Sequence, residues 1–176
     1  YLPLKLYFHN DEPDCCTMSI TTAKTYKDAY ISYFKMEGTY NLYSPNLTKF
    51  FEDSLKGNFN KLKRIFSHIL DDLKLGKKIQ LHVKGFSSPL HKKEYNINLS
   101  KRRIQSFINY LRFYDNMLFS PFLNSGFLQI IELPLGESKS TKKVSDNPND
   151  RLNSIYSLDA ILERRIEIID IKLIDE

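Results

Sequence analysis

The sequence has few residues that would point to metal or disulfide chemistry, and it has no long apolar run. Its two cysteines, Cys15 and Cys16, are adjacent, and because neighbouring cysteines rarely pair they make neither a zinc site nor a disulfide framework. The four histidines show no metal-ligand spacing. No apolar run approaches the roughly 20 residues of a membrane-spanning helix, and no signal-peptide pattern opens the chain.

Catalytic motifs are also missing from the sequence. Ser87 and Ser88 precede Pro89 instead of forming a Gly-x-Ser-x-Gly turn, and no acid–base pair or nucleophile–base set occurs at a motif spacing. We therefore expect a non-catalytic protein that uses no cofactor.

Length and charge favour one globular domain with an acidic partner. The 176 residues are 41% hydrophobic and 27% charged, which is ordinary for a globular protein with a core. The net charge of +5 is compatible with nucleic acid or with a polyanionic wall. The lysines are scattered over every segment, however, which indicates a solvated surface, and we expect no nucleic-acid partner. The chain begins with Tyr1, so we expect it to be part of a longer protein.

Hydrophobic periodicity predicts alternating strands and helices. A 4-3-4-3-4 spacing from Leu55 to Leu73 is typical of an amphipathic helix, and Gly76 is placed to end it. Four short segments alternate apolar and polar residues, as half-buried strands do. The predicted helices are 22–37, 55–73 and 100–113 with a short turn at 158–163, and the predicted strands are 2–8, 79–85, 127–133 and 165–174.

This order predicts an α+β fold, a two-layer βαβαββ sandwich whose mixed sheet carries helices on one face. We expect residues 1–176 to form a single domain in which 15–46 is an inserted helical segment. The tyrosines of the insertion are of the kind that stacks on sugars or bases, but the simpler prediction is that they pack over the core.

The most informative stretch runs from Gly85 to Leu111. It predicts the end of a strand, a polar loop and a helix capped by Ser100, with Arg102 and Arg103 in its first turn. The first N–H groups of a helix and its dipole favour anions, and the planar guanidinium of Arg103 is suited to a carboxylate. The sequence therefore predicts a site for a small acidic group at this loop–helix junction, while Arg102 is expected to have a lesser role.

Three blocks of the sequence resemble one known family. They are Leu6-Tyr-Phe-His-Asn-Asp11, then Val83-Lys-Gly-Phe-Ser-Ser88 with Tyr95-Asn-Ile-Asn-Leu-Ser-Lys-Arg-Arg103, and finally Gly136-Glu-Ser with Leu162-Glu-Arg-Arg-Ile-Glu-Ile168. On these motifs the chain resembles the OmpA-like C-terminal domain, a periplasmic module that anchors outer-membrane proteins to peptidoglycan. The long first insertion is similar to the variant common in Bacteroidetes. The resemblance implies an OmpA-C-like fold and a location on the periplasmic side of the outer membrane.

The resemblance also implies a ligand and a site. The ligand is the peptidoglycan stem peptide, whose diaminopimelate ends in a carboxylate and an ammonium on one carbon. By position, Arg103 grips the carboxylate and Arg164 lines the same pocket. Asp11 lies at the end of the first strand, and Ser88 occupies the position of the family's ligand aspartate. Asn96 completes the expected ligand-binding set, and its side-chain chemistry predicts that it holds the loop through bonds to the backbone. Arg165 is assigned to the local fold.

Two departures from the family pattern affect the ligand. Ser88 stands where the family has the aspartate that pairs with the ammonium, and His9 replaces a first-strand aspartate. We hypothesise that Asp11, or secondarily Glu94, supplies the missing negative charge. The alternative function is a scaffolding or protein-interaction domain of an envelope assembly that has lost peptidoglycan binding. Other outer-membrane or periplasmic proteins are further expected partners.

Overall fold

The computed structural model describes residues 2–138, 140, 141 and 143–175. Helices and strands alternate along the chain, with two short π-helical segments at Phe50–Lys56 and Leu152–Tyr156. The remaining elements are β1 (Leu4–Tyr7), α1 (Tyr26–Phe34), α2 (Glu37–Tyr43), α3 (Gly57–Lys74), β2 (Lys78–Phe86), α4 (Lys93–Phe113), α5 (Ser120–Ser125), β3 (Leu128–Gly136), α6 (Leu158–Glu163) and β4 (Arg165–Ile174).

The strands form one mixed sheet in the order β1-β4-β2-β3. Strand β4 is antiparallel to both of its neighbours, while β2 and β3 are parallel and are connected through α4 and α5. The last strand of the chain thus lies between the first and the second. The predicted α+β class with a mixed sheet is confirmed.

The core lies between the sheet and the helices α3 and α4. Along β2, Ile79, Leu81 and Val83 are buried against these helices, whereas the alternating Gln80 and Lys84 remain partly exposed on the other face. Burying such a side chain contributes about 1.5–3 kcal/mol each. The period-2 pattern of the sequence therefore sets which face of the sheet carries the helices.

Helix α3 follows the predicted apolar stripe. Its buried side chains include Phe59, Leu62 and Phe66, and the helix ends at Lys74, two residues before Gly76, whose φ of +82° suits glycine. The Gly76 N–H donates to the Leu73 carbonyl, which completes the predicted C-terminal cap. Leu55, the first residue of the stripe, lies in the preceding π-helical segment.

Helix α4 begins at Lys93, seven residues before the predicted start at Ser100. The sequence predicts a loop for the polar run before Ser100, but Asn96 directs its side chain to the neighbouring loops while Leu99 packs inward. Ser100 is not a helix cap: its hydroxyl donates to the Ile97 carbonyl inside the helix. The prediction that Arg103 lies at a helix N-terminus is therefore wrong.

The inserted segment packs as predicted, although as two helices instead of one. Tyr26 lies in the main core, and Tyr33 and Tyr40 are fully buried in a second aromatic cluster that also includes Phe51 and Tyr156. A capping box at Thr25 and Asp28 starts α1. The three fully buried tyrosines offer no face for stacking on a sugar or a base.

The pairing of the cysteines and the apolar character of the helices were also subjects of prediction from the sequence. The structure joins Cys15 and Cys16 in a disulfide, so the prediction that these neighbours stay unpaired is wrong. Within the described ranges, no helix is both long enough and apolar enough to cross a membrane.

Candidate functional site

Arg103 lies in the middle of α4 and joins two loops. Its side chain is fully buried, and its Nε donates to the carbonyl of Glu12 over 2.9 Å. Nη1 donates to the carbonyl of Phe86 over 2.8 Å, and Nη2 makes a longer contact of 3.4 Å with the carbonyl of His9. The guanidinium therefore connects the loop after β1 to the end of β2, and the carbonyls of His9 and Glu12 lie on both sides of Asp11.

Arg164 lies behind this site, at the junction of α6 and β4. It is fully buried, and its Nε donates to the carbonyl of Phe8 over 3.3 Å. Its Nη2 donates to the hydroxyl of Tyr40 over 3.0 Å. Because Tyr40 belongs to the insertion, the inserted segment covers the arginine that the resemblance assigned to the ligand pocket.

The two buried guanidinium groups act on each other. Burial first, and then the charge of Arg164, lower the pKa of Arg103 to about 9, while Asp11 acts in the opposite direction. Arg103 therefore keeps its charge at neutral pH. No described carboxylate lies within ion-pair distance of either guanidinium.

His9 is neutral because it is buried and lies beside these cations. Burial, followed by the charges of Arg164 and Arg103, lowers its pKa to about 3. Its Nδ1 lies 2.6 Å from the Tyr40 hydroxyl. Burial raises the pKa of Tyr40 well above its ordinary value. Since the hydroxyl accepts from Arg164, its hydrogen is free to be donated to His9.

Asp11 forms the exposed side of the site. Its Oδ1 lies 2.7 Å from Nε2 of His91, with side-chain exposures of 15% for Asp11 and 39% for His91. Asp11 has a φ of +59°, in the left-handed region that Asp and Asn tolerate better than most residues. The His91 ring also contacts the Tyr95 ring, with centroids 4.6 Å apart. The first-strand loop and the loop after β2 therefore meet at this contact.

Asn96 connects the loop after β2 to the end of β3. Its Nδ2 donates to the His91 carbonyl over 2.8 Å and to Oε2 of Glu137 over 2.6 Å. Beside it, the Ser87 hydroxyl donates to the Asn96 carbonyl over 3.2 Å. Ser88, the next residue, is 95% buried, since only 5% of its surface is exposed. The loop after β2 thus links the three residues: it contains Ser88, its His91 contacts Asp11, and Asn96 donates to the His91 carbonyl.

Arg102 binds the loop that follows β1 and is not part of the candidate ligand site. It is fully buried, its Nε donates to the Pro13 carbonyl over 2.7 Å, and its Nη1 donates to the carbonyls of Thr17 and Ser19. This guanidinium binds residues 13–19 from the inside. Arg102 therefore has a structural role, and it is not a solvated surface charge, since it makes three hydrogen bonds to backbone carbonyls.

The structure brings four of the five expected site residues, Asp11, Ser88, Asn96 and Arg103, to one end of the sheet. It places the fifth, Arg164, next to Arg103 but beneath the insertion. Sequence reasoning missed Glu137 and Tyr40. Glu137 carried a signal, since it belongs to the Gly136-Glu-Ser motif, whereas nothing in the sequence distinguishes Tyr40 from the other tyrosines of the insertion.

A cavity of about 830 Å³ adjoins this end of the sheet at Pro89. Neither Arg103 nor Arg164 lines it, so the guanidinium groups do not face this space. Its lining includes Pro89, Ser140, Thr141, Asp146, Asp150 and Asp159.

Chemically, the arrangement combines buried cations with carboxylates nearer the surface. Within the part of the chain that the structure describes, no group of three or more His, Cys, Asp or Glu side chains has a metal-binding arrangement. Comparison of the chain with protein-family models, with curated proteins and with solved structures finds no match.

Proposed function

We propose that this domain is a non-catalytic module that binds the peptidoglycan stem peptide through its diaminopimelate. It anchors an outer-membrane protein or lipoprotein to the cell wall from the periplasmic side, as the resemblance to the OmpA-like C-terminal domain implies. The observation that carries the proposal is the convergence of Asp11, near the start of the chain, with Asn96 and Arg103 of α4 at one end of the sheet.

The charges of this region match the free end of diaminopimelate. Two guanidinium groups without a described carboxylate partner are unfavourable unless an anion or several carbonyls compensate them. Arg103 has five N–H groups, and three of its hydrogen bonds go to carbonyls of the described residues. A ligand carboxylate is the anion that would balance the charge of Arg103. Asp11 is close to this position, since it lies two residues after His9, whose carbonyl accepts from Arg103.

Access to Arg103 requires movement of the loop that follows β1. The side chain is fully buried, and residues 9–12 lie over it through the carbonyls of His9 and Glu12. We propose that a stem carboxylate displaces the weaker 3.4 Å contact to His9 while the contacts of 2.8 and 2.9 Å remain. Binding is then expected to be moderate, because part of the interaction energy is used to open the loop.

The test compares two tripeptide stems that differ by one carboxylate. A stem ending in diaminopimelate has both the carboxylate and the ammonium, whereas a stem ending in lysine keeps only the ammonium. Because a charge-assisted bond contributes about 1.5–3 kcal/mol, calorimetric titration should give at least about tenfold tighter binding of the diaminopimelate stem. Equal binding of both stems, or no binding of either, contradicts the proposal.

A variant of Asp11 checks the same site without altering the backbone. Asp11→Asn removes the charge but keeps a side chain that tolerates a φ of +59°. Asp14→Asn is the matched control, because Asp14 has a φ of +57° in the same loop and pairs with Lys24 instead. We expect weaker binding of the diaminopimelate stem for Asp11→Asn only. Unchanged binding would show that Asp11 is not part of the ligand site.

The alternative function, a scaffolding domain without peptidoglycan affinity, is favoured by one observation. Both Arg103 and Arg164 are fully buried, and their hydrogen bonds go to carbonyls and to the Tyr40 hydroxyl, which leaves only Nη1 of Arg164 without a partner among the described residues. On this alternative the arginines only hold the fold together. Failure of the diaminopimelate stem to bind a correctly folded domain supports it.

A further inference from the structure

Glu137 is placed by a tight contact between the end of β3 and helix α4. Gly136 has a φ of +58°, and a Cβ at this position would lie 2.9 Å from Cγ1 of Ile97. Its N–H donates to the Ser100 hydroxyl over 3.2 Å, and its carbonyl accepts from the Ser87 N–H over 2.9 Å. Glu137, the next residue, is therefore held against the turn of α4 that carries Asn96.

The carboxylate of Glu137 has a neutral partner. Its Oε2 accepts from Asn96 Nδ2 over 2.6 Å, and no cation of the described residues lies within ion-pair distance of it. Asp11, by contrast, contacts His91. Asn96 is 99% buried, since only 1% of it is exposed, and because its Nδ2 serves two acceptors its Oδ1 is a second acceptor with no described partner. The end of β3 thus carries acceptors without a matching cation.

We propose that Glu137 is the residue that binds the ammonium of the stem ligand, in place of the aspartate that Ser88 replaces. This inference rests on the proposed function and names the specificity-determining residue of that same site. An ammonium brings three N–H donors, and a carboxylate whose partner is a neutral amide has no cation that competes with the ligand for a charge-assisted bond. Arg103 donates to the carbonyl of Phe86, and Phe86 pairs with Gly136 next to Glu137. The ligand therefore lies with its carboxylate toward Arg103 and its ammonium toward Glu137.

The other two candidates are less well placed for this role. Glu94 lies on the exposed first turn of α4, and the depression that it lines also includes Lys93 and Lys101, whose positive charges disfavour an ammonium there. Asp11 is on the correct side and its charge favours a nearby ammonium, but His91 lies against its carboxylate, so Glu137 is the direct partner. Glu137 has neither competitor and is joined through Asn96 to the loop that contains Ser88.

The experiment uses a third stem, which ends in 2-aminopimelate and so keeps the distal carboxylate without the distal ammonium. The wild-type domain should bind the diaminopimelate stem about tenfold or more tightly than the aminopimelate stem. Glu137→Gln, which keeps an acceptor for Asn96, should abolish this preference by weakening only the diaminopimelate complex. Glu94→Gln is the matched control and should retain the preference. Thermal unfolding of each variant verifies that it is folded.

The outcomes separate this inference from the function on which it rests. If the wild type binds both pimelate stems equally, or if Glu137→Gln keeps the preference, Glu137 is not the ammonium site, although the anchor function stands. If the domain binds none of the stems, both proposals are overturned. If Glu137→Gln alone loses the preference while its affinity for the aminopimelate stem is unchanged, the assignment is supported.

Discussion

Arg164 and Tyr40 stand 124 positions apart in the chain, and a hydrogen bond of 3.0 Å joins Nη2 of the arginine to the hydroxyl of the tyrosine. The same hydroxyl lies 2.6 Å from Nδ1 of His9. The insertion therefore does more than cover the core, since it provides the polar partner of a buried cation. Loss of this contact should lower the free energy of unfolding.

Removal of that hydroxyl should destabilise the fold. Tyr40→Phe keeps the aromatic packing but leaves Arg164 and His9 without their shared partner in a buried environment, which costs about 1–3 kcal/mol. Tyr43→Phe is the control, because Tyr43 is 38% exposed and stacks on Tyr156 with ring centroids 4.0 Å apart. Urea unfolding of both variants measures the difference. Equal stabilities would mean that the hydrogen bond to Arg164 contributes nothing.

His9 should make the fold acid-sensitive between pH 6.5 and about 3. The folded pKa is lowered to about 3 from the ordinary value of 6.5, so in this window the unfolded chain binds a proton that the folded chain excludes. The free energy of unfolding therefore falls as the pH falls, by at most about 1.4 kcal/mol per pH unit.

Substitution of His9 tests this pH dependence. His9→Asn removes the titrating ring, and the slope of unfolding free energy against pH should become shallower between pH 4 and 6. His68→Asn, at an exposed position of α3, serves as the control. A slope that is identical in the wild type and in His9→Asn contradicts the burial of a neutral histidine.

Gly85 marks the closest approach of β2 to α4. A Cβ on Gly85 would lie 2.7 Å from the Ser100 carbonyl oxygen and 3.1 Å from Cδ1 of Ile104, so Gly85→Ala must push the helix from the sheet. We expect a loss of about 1–3 kcal/mol. Gly38→Ala has no atom within 4 Å and lies in α2, so it should be neutral or gain up to about 1 kcal/mol. Chemical denaturation gives both values, and a neutral Gly85→Ala would show that this contact is not tight.

Arg102 should control the order of residues 13–19. Its planar guanidinium binds the carbonyls of Pro13, Thr17 and Ser19 at once, which a single lysine ammonium does not reproduce. Arg102→Lys should therefore speed hydrogen exchange and proteolytic cleavage in this loop. Arg112→Lys, exposed on the same helix, should leave both rates unchanged. Unaltered protection of the loop in Arg102→Lys would rule out this role.

Much of the secondary structure was predictable because burial follows local periodicity. Strand β4 and helix α6 have the predicted bounds, and α3 stops before Gly76 as expected. The start of α4 was not predictable in this way. Asn96 and Ser100 are typical of caps and loops, and only their partners on other elements, Glu137 and Gly136, make a helical conformation favourable there.

The candidate site was likewise predictable only in part. The motif around Tyr95–Arg103 identified Asn96 and Arg103 from the sequence, since those residues are close together in the chain. The burial of Arg103, the role of Tyr40 toward Arg164 and the bond from Asn96 to Glu137 are contacts between distant segments. Whether an arginine faces solvent or backbone carbonyls depends on which loops cover it, and periodicity contains no information on that.

The sequence by itself determined the α+β class and the apolar faces of the strands and of α3. These properties depend on side-chain polarity at spacings of two to four residues, which a chain carries whatever its tertiary contacts. The tertiary structure alone decided that β4 lies between β1 and β2, that the arginines are buried, and that Glu137 meets Asn96. Those outcomes depend on hydrogen bonds and charges that meet only when segments separated by tens of residues pack together.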